Sequence, residues 1–175
     1  MKYALYLFIL LATSAKATLI EFTATNVGAN TYELVYDITN DDVAVGLEEI
    51  SVFYDWSVFT NISVTTSFID WDIIAIQGDS FFGDDGFVDA LTFGSAINLG
   101  DTFTNFMTVT LDCFACDFTA GQYFEVLNPN TFSVLSSGMT INNSTPPVDV
   151  PEPISFGLFI SALFFLFLSR KKLNI

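Results

Sequence analysis

The residues of this sequence whose spacing points most directly to a chemical role are two cysteines. Cys113 and Cys116 form a C-x-x-C pair, which occurs in zinc sites, redox sites and short disulfide loops. Zinc needs about four ligands, and the chain has no other Cys and no His. A redox site needs a cation or a helix N-terminus that lowers the thiol pKa, whereas the flanking residues are Asp112 and Asp117. Free buried thiols or a local disulfide remain, and we favour the disulfide because the chain carries the export signals described below.

A second candidate is the segment from Asp79 to Asp89, which is rich in Gly and contains Asp84-Asp85-Gly86. Its composition is similar to that of a calcium-binding loop, but the ligand order of an EF-hand is not met. Asp and Gly together are also typical of ordinary turns. We therefore predict no metal site and no cofactor, with calcium at this loop as the alternative.

Carboxylates and aromatic side chains allow two glycan-directed alternatives. Every acidic residue except Glu152 lies between Thr18 and Val150, so carboxylate pairs of the kind that glycosidases use are abundant. Nothing selects one pair, and we assign no catalytic residue. Tyr54, Trp56 and Trp71 form a candidate sugar-stacking face for a carbohydrate-binding module, although large aromatic residues in strands more often belong to the core.

Charge is distributed very unevenly along the 175 residues. There are 20 Asp and Glu against 5 Lys and Arg, for a formal net charge of -15. This balance excludes nucleic acid as a partner, because phosphate binding needs clustered cations. The absence of His also excludes imidazole catalysis. The cations are confined to the two ends of the chain: Lys2, Lys16, Arg170, Lys171 and Lys172.

The N-terminal end has the pattern of a secretory signal peptide over residues 1–17. Lys2 provides the positive region, and an apolar run from Tyr3 to Ala12 follows. Ala15 and Ala17 have the small-x-small spacing that signal peptidase requires. We expect cleavage after Ala17 and a mature chain that begins at Thr18. An uncleaved anchor is the alternative, but the apolar run is short for a membrane span.

The C-terminal end carries a second apolar run, from Ile154 to Ser169. Its residues would form a helix of about 24 Å, slightly shorter than the roughly 30 Å hydrocarbon core of a bilayer. The basic cluster Arg170, Lys171 and Lys172 follows at once. Such a cluster stays cytoplasmic and extends the span by snorkelling. The sequence therefore predicts a transmembrane helix in the inner membrane, with the N-terminal part of the chain outside.

Pro151, Glu152 and Pro153 stand directly before this helix. A Pro-Glu-Pro motif, an apolar span and a basic stop, here residues 151–172 with a tail at 173–175, resemble the PEP-CTERM sorting signal of Gram-negative bacteria. The resemblance implies that an exosortase-like transpeptidase recognises the motif, removes the helix and tail, and delivers the protein to the cell surface or extracellular matrix. It also implies an association with exopolysaccharide and biofilm. Two features depart from the family: the span is rich in Phe, and three residues follow the cations.

Between the two ends, period-2 alternation of apolar and polar residues predicts an all-β domain over residues 18–141. Turn clusters rich in Gly, Asn and Asp separate the strands, and many short strands of this kind indicate a single antiparallel β-sandwich. The layout also resembles cohesin-like sandwiches found beside other PEP-CTERM signals. The predicted strands are Leu19 to Thr25, Tyr32 to Thr39, Ile50 to Trp56, Ile62 to Phe68, Asp72 to Gln77, Phe87 to Phe93, Phe103 to Leu111, Tyr123 to Leu127 and Thr131 to Leu135.

After this domain, residues 142–150 are rich in Pro, Asn and Ser. Proline favours an extended chain, so we expect a linker there, with the segment from Ile141 to Pro153 outside any hydrogen-bonded ladder. Such an exposed segment is what a processing enzyme can bind.

Together these features predict a non-enzymatic exported surface or matrix protein, whose partners are the processing enzyme, the inner membrane before processing, and exopolysaccharide. A carbohydrate-binding module of the matrix and a two-carboxylate glycan-active enzyme are the alternatives.

Overall fold

The structure, a computed structural model, describes residues 18–114 and 116–144. These residues form ten β-strands and no helix. The strands are β1 (Leu19–Asn26), β2 (Thr31–Thr39), β3 (Glu49–Tyr54), β4 (Phe59–Ser67), β5 (Trp71–Ile76), β6 (Gly86–Thr92), β7 (Thr102–Cys113), β8 (Tyr123–Leu127), β9 (Val134–Met139) and β10 (Ile141–Asn142).

The strands form two five-stranded sheets, which confirms the predicted β-sandwich. The first sheet has the order β10-β1-β2-β7-β4 and the second has the order β5-β6-β3-β8-β9. All neighbouring strands pair antiparallel except β1 and β10, which pair parallel.

Alternation along the strands builds the core between the sheets. In β2, Leu34, Tyr36 and Ile38 are fully buried, while the intervening residues face the other side of the sheet. In β3, the alternate residues Ile50, Val52 and Tyr54 are likewise buried. The period-2 pattern of the sequence therefore decides which side of each sheet meets the core.

A bulge in β7 changes the alternation that the sequence predicted there. Asn105 adopts a left-handed conformation with φ of 51°, and its backbone N–H donates to Asp37 Oδ1 at 2.7 Å. The register between β2 and β7 shifts at this point. As a result Phe106, which strict alternation with Val109 and Leu111 would place on the other side of the sheet, is fully buried beside Met107.

The ninth predicted strand, Thr131 to Leu135, is placed too early, because the observed strand β9 is Val134–Met139. Asn128 extends the preceding turn: its Oδ1 accepts from the N–H groups of Asn130 at 2.9 Å and Thr131 at 3.1 Å. Its own N–H donates to the Ser133 carbonyl at 3.0 Å. The turn therefore uses the residues up to Ser133 and delays the strand.

The expectation that the chain leaves the ladder at Ile141 is also wrong for its first residues. Ile141 and Asn142 form β10 and pair with Glu21 and Phe22 of β1. The next residues continue the attachment, since Asn143 N–H donates to the Phe22 carbonyl at 2.8 Å. The open edge of β1 provides backbone partners that satisfy this segment.

A buried hydrogen-bond network joins the two sheets through the core. The hydroxyl groups of Tyr36 on β2 and Tyr54 on β3 lie 2.9 Å apart, and Tyr36 donates to Gln122 Oε1 at 3.1 Å. Thr140 Oγ1 donates to the same oxygen at 3.0 Å. Because the Tyr36 hydroxyl donates its proton to Gln122, the Tyr54 hydroxyl must donate to the Tyr36 oxygen. Burial raises the pKa of both tyrosines, so the network is uncharged.

Candidate functional site

The outer side of the second sheet exposes a surface of mixed apolar and acidic side chains, which we call the outer face. Alternation directs every second residue of its five strands away from the core, and no strand or helix of the described residues covers it. Five of its apolar side chains are between 42% and 51% exposed: Ile74, Ile76, Tyr123, Val134 and Met139. The register places Asp89, Ser51 and Glu125 between these apolar positions, so the apolar side chains of the outer face are interrupted by polar ones.

Aromatic rings form a row across neighbouring strands of the outer face. The ring of Phe53 on β3 lies 6.1 Å from that of Phe87 on β6 and 5.7 Å from that of Tyr123 on β8, centroid to centroid. Phe53 and Phe87 are half-buried, so the row presents partly exposed ring surface.

This row ends in an open depression of about 490 Å³ at one end of the sandwich, within the roughly 300–1,000 Å³ range of small-ligand sites. It is built where β3 ends, where β6 and β8 begin, and where β9 ends. The lining residues are Phe53, Asp55, Phe59, Asp85, Gly121, Gln122, Tyr123, Glu125 and Met139.

Two carboxylates of the depression are held by the loop after β3. Asp55 Oδ1 accepts from the Ser57 N–H at 2.8 Å and from the Ser57 hydroxyl at 2.6 Å, and these bonds hold the pKa of Asp55 below its usual range. Asp85 Oδ1 accepts from the Trp56 N–H at 3.2 Å. Each Oδ2 has no hydrogen-bond partner in the described part of the chain and is free to accept from a ligand.

The third carboxylate belongs to β8. Glu125 Oε1 accepts from the Tyr123 hydroxyl at 2.9 Å, which ties the carboxylate to the aromatic row. Its Oε2 takes no hydrogen bond from residues 18–114 or 116–144. Internal hydrogen bonds thus orient the three carboxylates, and each carboxylate keeps one oxygen that is available to a ligand.

The depression also offers one donor. Gln122 is 3% exposed, and its Oε1 is held by Tyr36 and Thr140. Its Nε2 has no hydrogen-bond partner among the described residues. The preceding residue, Gly121, has a left-handed backbone conformation with φ of 68°. A side chain at Gly121 would overlap the carbonyl oxygen of Thr140. The hydrogen-bond network between the sheets therefore holds the Gln122 side chain in place.

No cation offsets the three carboxylates locally, since the described residues include no Lys, Arg or His. The potential of the depression is therefore negative. Such a site repels anions and favours neutral polyols or cations.

Another carboxyl group on the outer face lies outside the depression. Glu49 on β3 is 8% exposed, and its Oε2 is buried with no hydrogen-bond partner in the described residues. Its registered neighbours are Leu91 on β6 and Leu127 on β8. Burial first, and then the charge of Asp89, raises the pKa of Glu49.

The predicted sugar-stacking trio is not a surface row. Tyr54 is fully buried and Trp71 is 6% exposed, so both belong to the core, as the alternative interpretation held. The aromatic row that does form uses Phe53, Phe87 and Tyr123. Their outward positions in the alternation were the available signal, but their mutual contact depends on the strand order β6-β3-β8.

Cys113 and Cys116 are joined by a disulfide in the structure. Cys113 ends β7, and its N–H donates to the Asn30 carbonyl at 2.7 Å. Because the bond closes a short loop, it stabilises the end of one strand and links no distant elements.

Residues 79–85 of the Asp- and Gly-rich segment lie in the turn between β5 and β6, and the rest of the segment belongs to β6. Asp79 Oδ1 accepts from the Phe81 N–H at 2.7 Å, and Asp79 pairs with Asp84 in an isolated bridge. Across residues 18–114 and 116–144, no group of three or more acidic or cysteine side chains is arranged to hold a metal ion.

The predicted signal peptide with Ala15 and Ala17, the Pro151-Glu152-Pro153 motif, the helix and the basic stop lie outside the described residues. Within the described residues, no helix is long and apolar enough to cross a membrane.

Comparisons with known proteins give only weak structural likeness. No family model and no curated protein sequence matches the chain. Among solved structures, the chain is similar to the cohesin module of a family 33 glycoside hydrolase from Clostridium perfringens, with 11% identity and a TM-score of 0.41. The match covers 74% of this chain and 98% of that module. This likeness is too low to assign a function.

Proposed function

We propose that this chain is a non-enzymatic exported protein of the cell surface or extracellular matrix, sorted through its C-terminal signal by an exosortase-like transpeptidase. The sorting half of the proposal rests on the sequence: a signal peptide over residues 1–17, and the motif, span and basic stop over residues 151–172. Once both ends are removed, the remaining domain carries no Lys, Arg or His.

The non-enzymatic half of the proposal rests on one observation: the depression presents three oriented carboxylates and one amide donor beside a row of aromatic rings. A binding site of this kind pairs apolar walls with a few fixed polar groups. Its chemistry does not favour acid catalysis, which requires a carboxyl group with a raised pKa. The pKa of Asp55 is lowered, and Glu49, whose pKa is raised, does not line the depression.

The sorting step is tested by following the full chain in a bacterium that has an exosortase. We expect the wild-type protein in the surface and extracellular fractions. Glu152→Ala should hold it in the inner membrane, whereas Asp149→Ala, which removes a nearby acid outside the motif, should behave as the wild type. Equal distribution of Glu152→Ala and the wild type would contradict the sorting proposal.

A second candidate function, binding of matrix polysaccharide, is favoured by the aromatic row of Phe53, Phe87 and Tyr123. Aromatic surface stacks against the apolar face of a sugar ring, while the carboxylates accept from hydroxyl groups. The test is retention of the exported protein on polysaccharide from the matrix of the producing cell. Tyr123→Ala should reduce retention, while Ile74→Ala, an exposed position across the same face, should leave it unchanged. Equal retention of both variants and the wild type would refute this role for the row.

Catalysis by two carboxylates is the competing function. It predicts release of reducing ends when the exported protein is incubated with that polysaccharide, and loss of the release in Asp55→Asn or Glu125→Gln. We expect no release from the wild type, and sustained release would overturn the non-enzymatic proposal.

A further inference from the structure

The chemical class of the ligand follows from the polar groups of the depression, if the chain binds polysaccharide as proposed above. Asp55, Asp85 and Glu125 supply acceptors, and Gln122 supplies the donor. A ligand must therefore bring several donors, at least one acceptor and an apolar surface for Phe53 and Tyr123. Sugar rings meet all three requirements, because hydroxyl groups both donate and accept.

The negative charge of the depression restricts the class of sugar that can bind. Three carboxylates line one depression of about 490 Å³, and the described residues contain no cationic side chain that would neutralise them. A uronic acid or a sulfated sugar would place like charges together, which is destabilising. An ammonium group on the ring would form charge-assisted hydrogen bonds, which are about twice as strong as neutral ones.

We propose that the depression binds an amino sugar unit with a free amine, as found in a partly or fully deacetylated hexosamine polysaccharide. The ring stacks on Phe53 and Tyr123, the ammonium group and hydroxyls donate to the unused carboxylate oxygens, and the Gln122 amide donates to a ring or hydroxyl oxygen. This site selects against N-acetylated and acidic sugars.

A simple basic peptide is the competing ligand that the same carboxylates would attract. The unpartnered Gln122 Nε2 argues against it, because a Lys or Arg side chain has no acceptor to offer this donor. The aromatic row supports the same conclusion. It provides ring surface on adjacent strands, and the sugar rings of a polysaccharide have apolar faces that can stack on such surface.

The test is calorimetric titration of the purified exported protein with four oligomers of equal length: glucosamine, N-acetylglucosamine, a uronic acid and lysine. We expect glucosamine oligomers to bind about tenfold more tightly than the N-acetylated ones, the equivalent of one charge-assisted hydrogen bond. We expect no binding of the uronic acid, and weaker, strongly salt-dependent binding of oligolysine.

Matched variants separate the depression from the overall negative charge. Asp85→Asn keeps an oxygen for the Trp56 N–H and should weaken glucosamine binding about tenfold. Asp72→Asn removes the same charge from an exposed position on the far side of the outer face and should change affinity less than twofold. Melting temperatures of both variants show that the fold is retained.

Equal weakening by Asp85→Asn and Asp72→Asn, or oligolysine binding as tightly as glucosamine, would mean non-specific charge attraction and overturn the proposal. Equal affinity for the acetylated oligomer would overturn the role of the amine. Matrix polysaccharide retained through Tyr123 without binding of any of these oligomers would overturn the ligand class alone. Loss of that retention too would reject polysaccharide binding itself.

Discussion

The buried network between the sheets gives a sharp stability prediction, because its hydrogen bonds have a direction. Tyr36 donates to Gln122, and Tyr54 donates to Tyr36. Tyr36→Phe removes both bonds and leaves the Tyr54 hydroxyl buried with no acceptor. Tyr54→Phe removes one bond and leaves Tyr36 bonded to Gln122. The two substitutions delete the same atom type at fully buried sites but should have unequal effects.

The magnitudes follow from the number of bonds lost and of hydroxyl groups left unpaired. A net hydrogen bond contributes about 1 kcal/mol, and a buried unsatisfied group costs about 1–3 kcal/mol. Tyr36→Phe should therefore lower the free energy of unfolding by about 3 kcal/mol and Tyr54→Phe by about 1 kcal/mol. The double variant loses both bonds but leaves no tyrosine hydroxyl unpaired, so it should lose only about 2 kcal/mol. The coupling energy is then about 2 kcal/mol.

Urea denaturation of the four proteins, followed by tryptophan fluorescence, measures this cycle. Tyr32→Phe is the control, because Tyr32 lies on the same strand, is half-buried, and its hydroxyl has no hydrogen bond to the described residues; it should change stability by less than about 0.5 kcal/mol. Additive effects of the two substitutions within about 0.5 kcal/mol would refute the network. A larger effect of Tyr54→Phe than of Tyr36→Phe would refute its direction.

Three further predictions concern charge and the disulfide. Glu49→Gln should raise the free energy of unfolding at pH 7, because a raised pKa means that ionised Glu49 opposes folding; the gain should vanish below about pH 4, where the wild-type carboxyl is protonated in both states, and Glu48→Gln should show no such gain in the same urea titrations. The melting temperature of the exported protein should rise with NaCl, and more steeply with calcium, since the Debye length shortens from about 10 Å at 0.1 M to about 3 Å at 1 M; a flat or falling response would contradict it. Replacing Cys113 and Cys116 together by Ser should lower the free energy of unfolding by about 2 kcal/mol, because the closed loop is short, and a loss well above that would show a larger role.

Local patterns predicted most of the sandwich. Strand β8 was predicted with its observed bounds, Tyr123–Leu127. Alternation failed where one residue interrupts it: the Asn105 bulge brings Phe106 into the core, and the Asn128 turn delays β9. These features depend on backbone geometry that residue types permit but do not dictate.

The candidate site was harder to predict than the fold because its parts are far apart in the sequence. Asp55 follows β3, Asp85 precedes β6, and Glu125 lies on β8; only the strand order β6-β3-β8 brings them together. Gln122 had no local signal at all, since its role depends on Tyr36 from the opposite sheet. Sequence composition predicted an acidic, aromatic domain, but not which acids and rings would meet.

The central claim, an exported and sorted sandwich without basic side chains, is tested most directly by the intact mass of the protein recovered from the cell surface and matrix. We expect a chain that begins at Thr18, lacks the helix and the basic stop that follow Pro153, and weighs less than its reduced form by the two thiol hydrogens of Cys113 and Cys116. A recovered chain that still ends at Ile175 would contradict the account and leave a protein that retains its predicted membrane span.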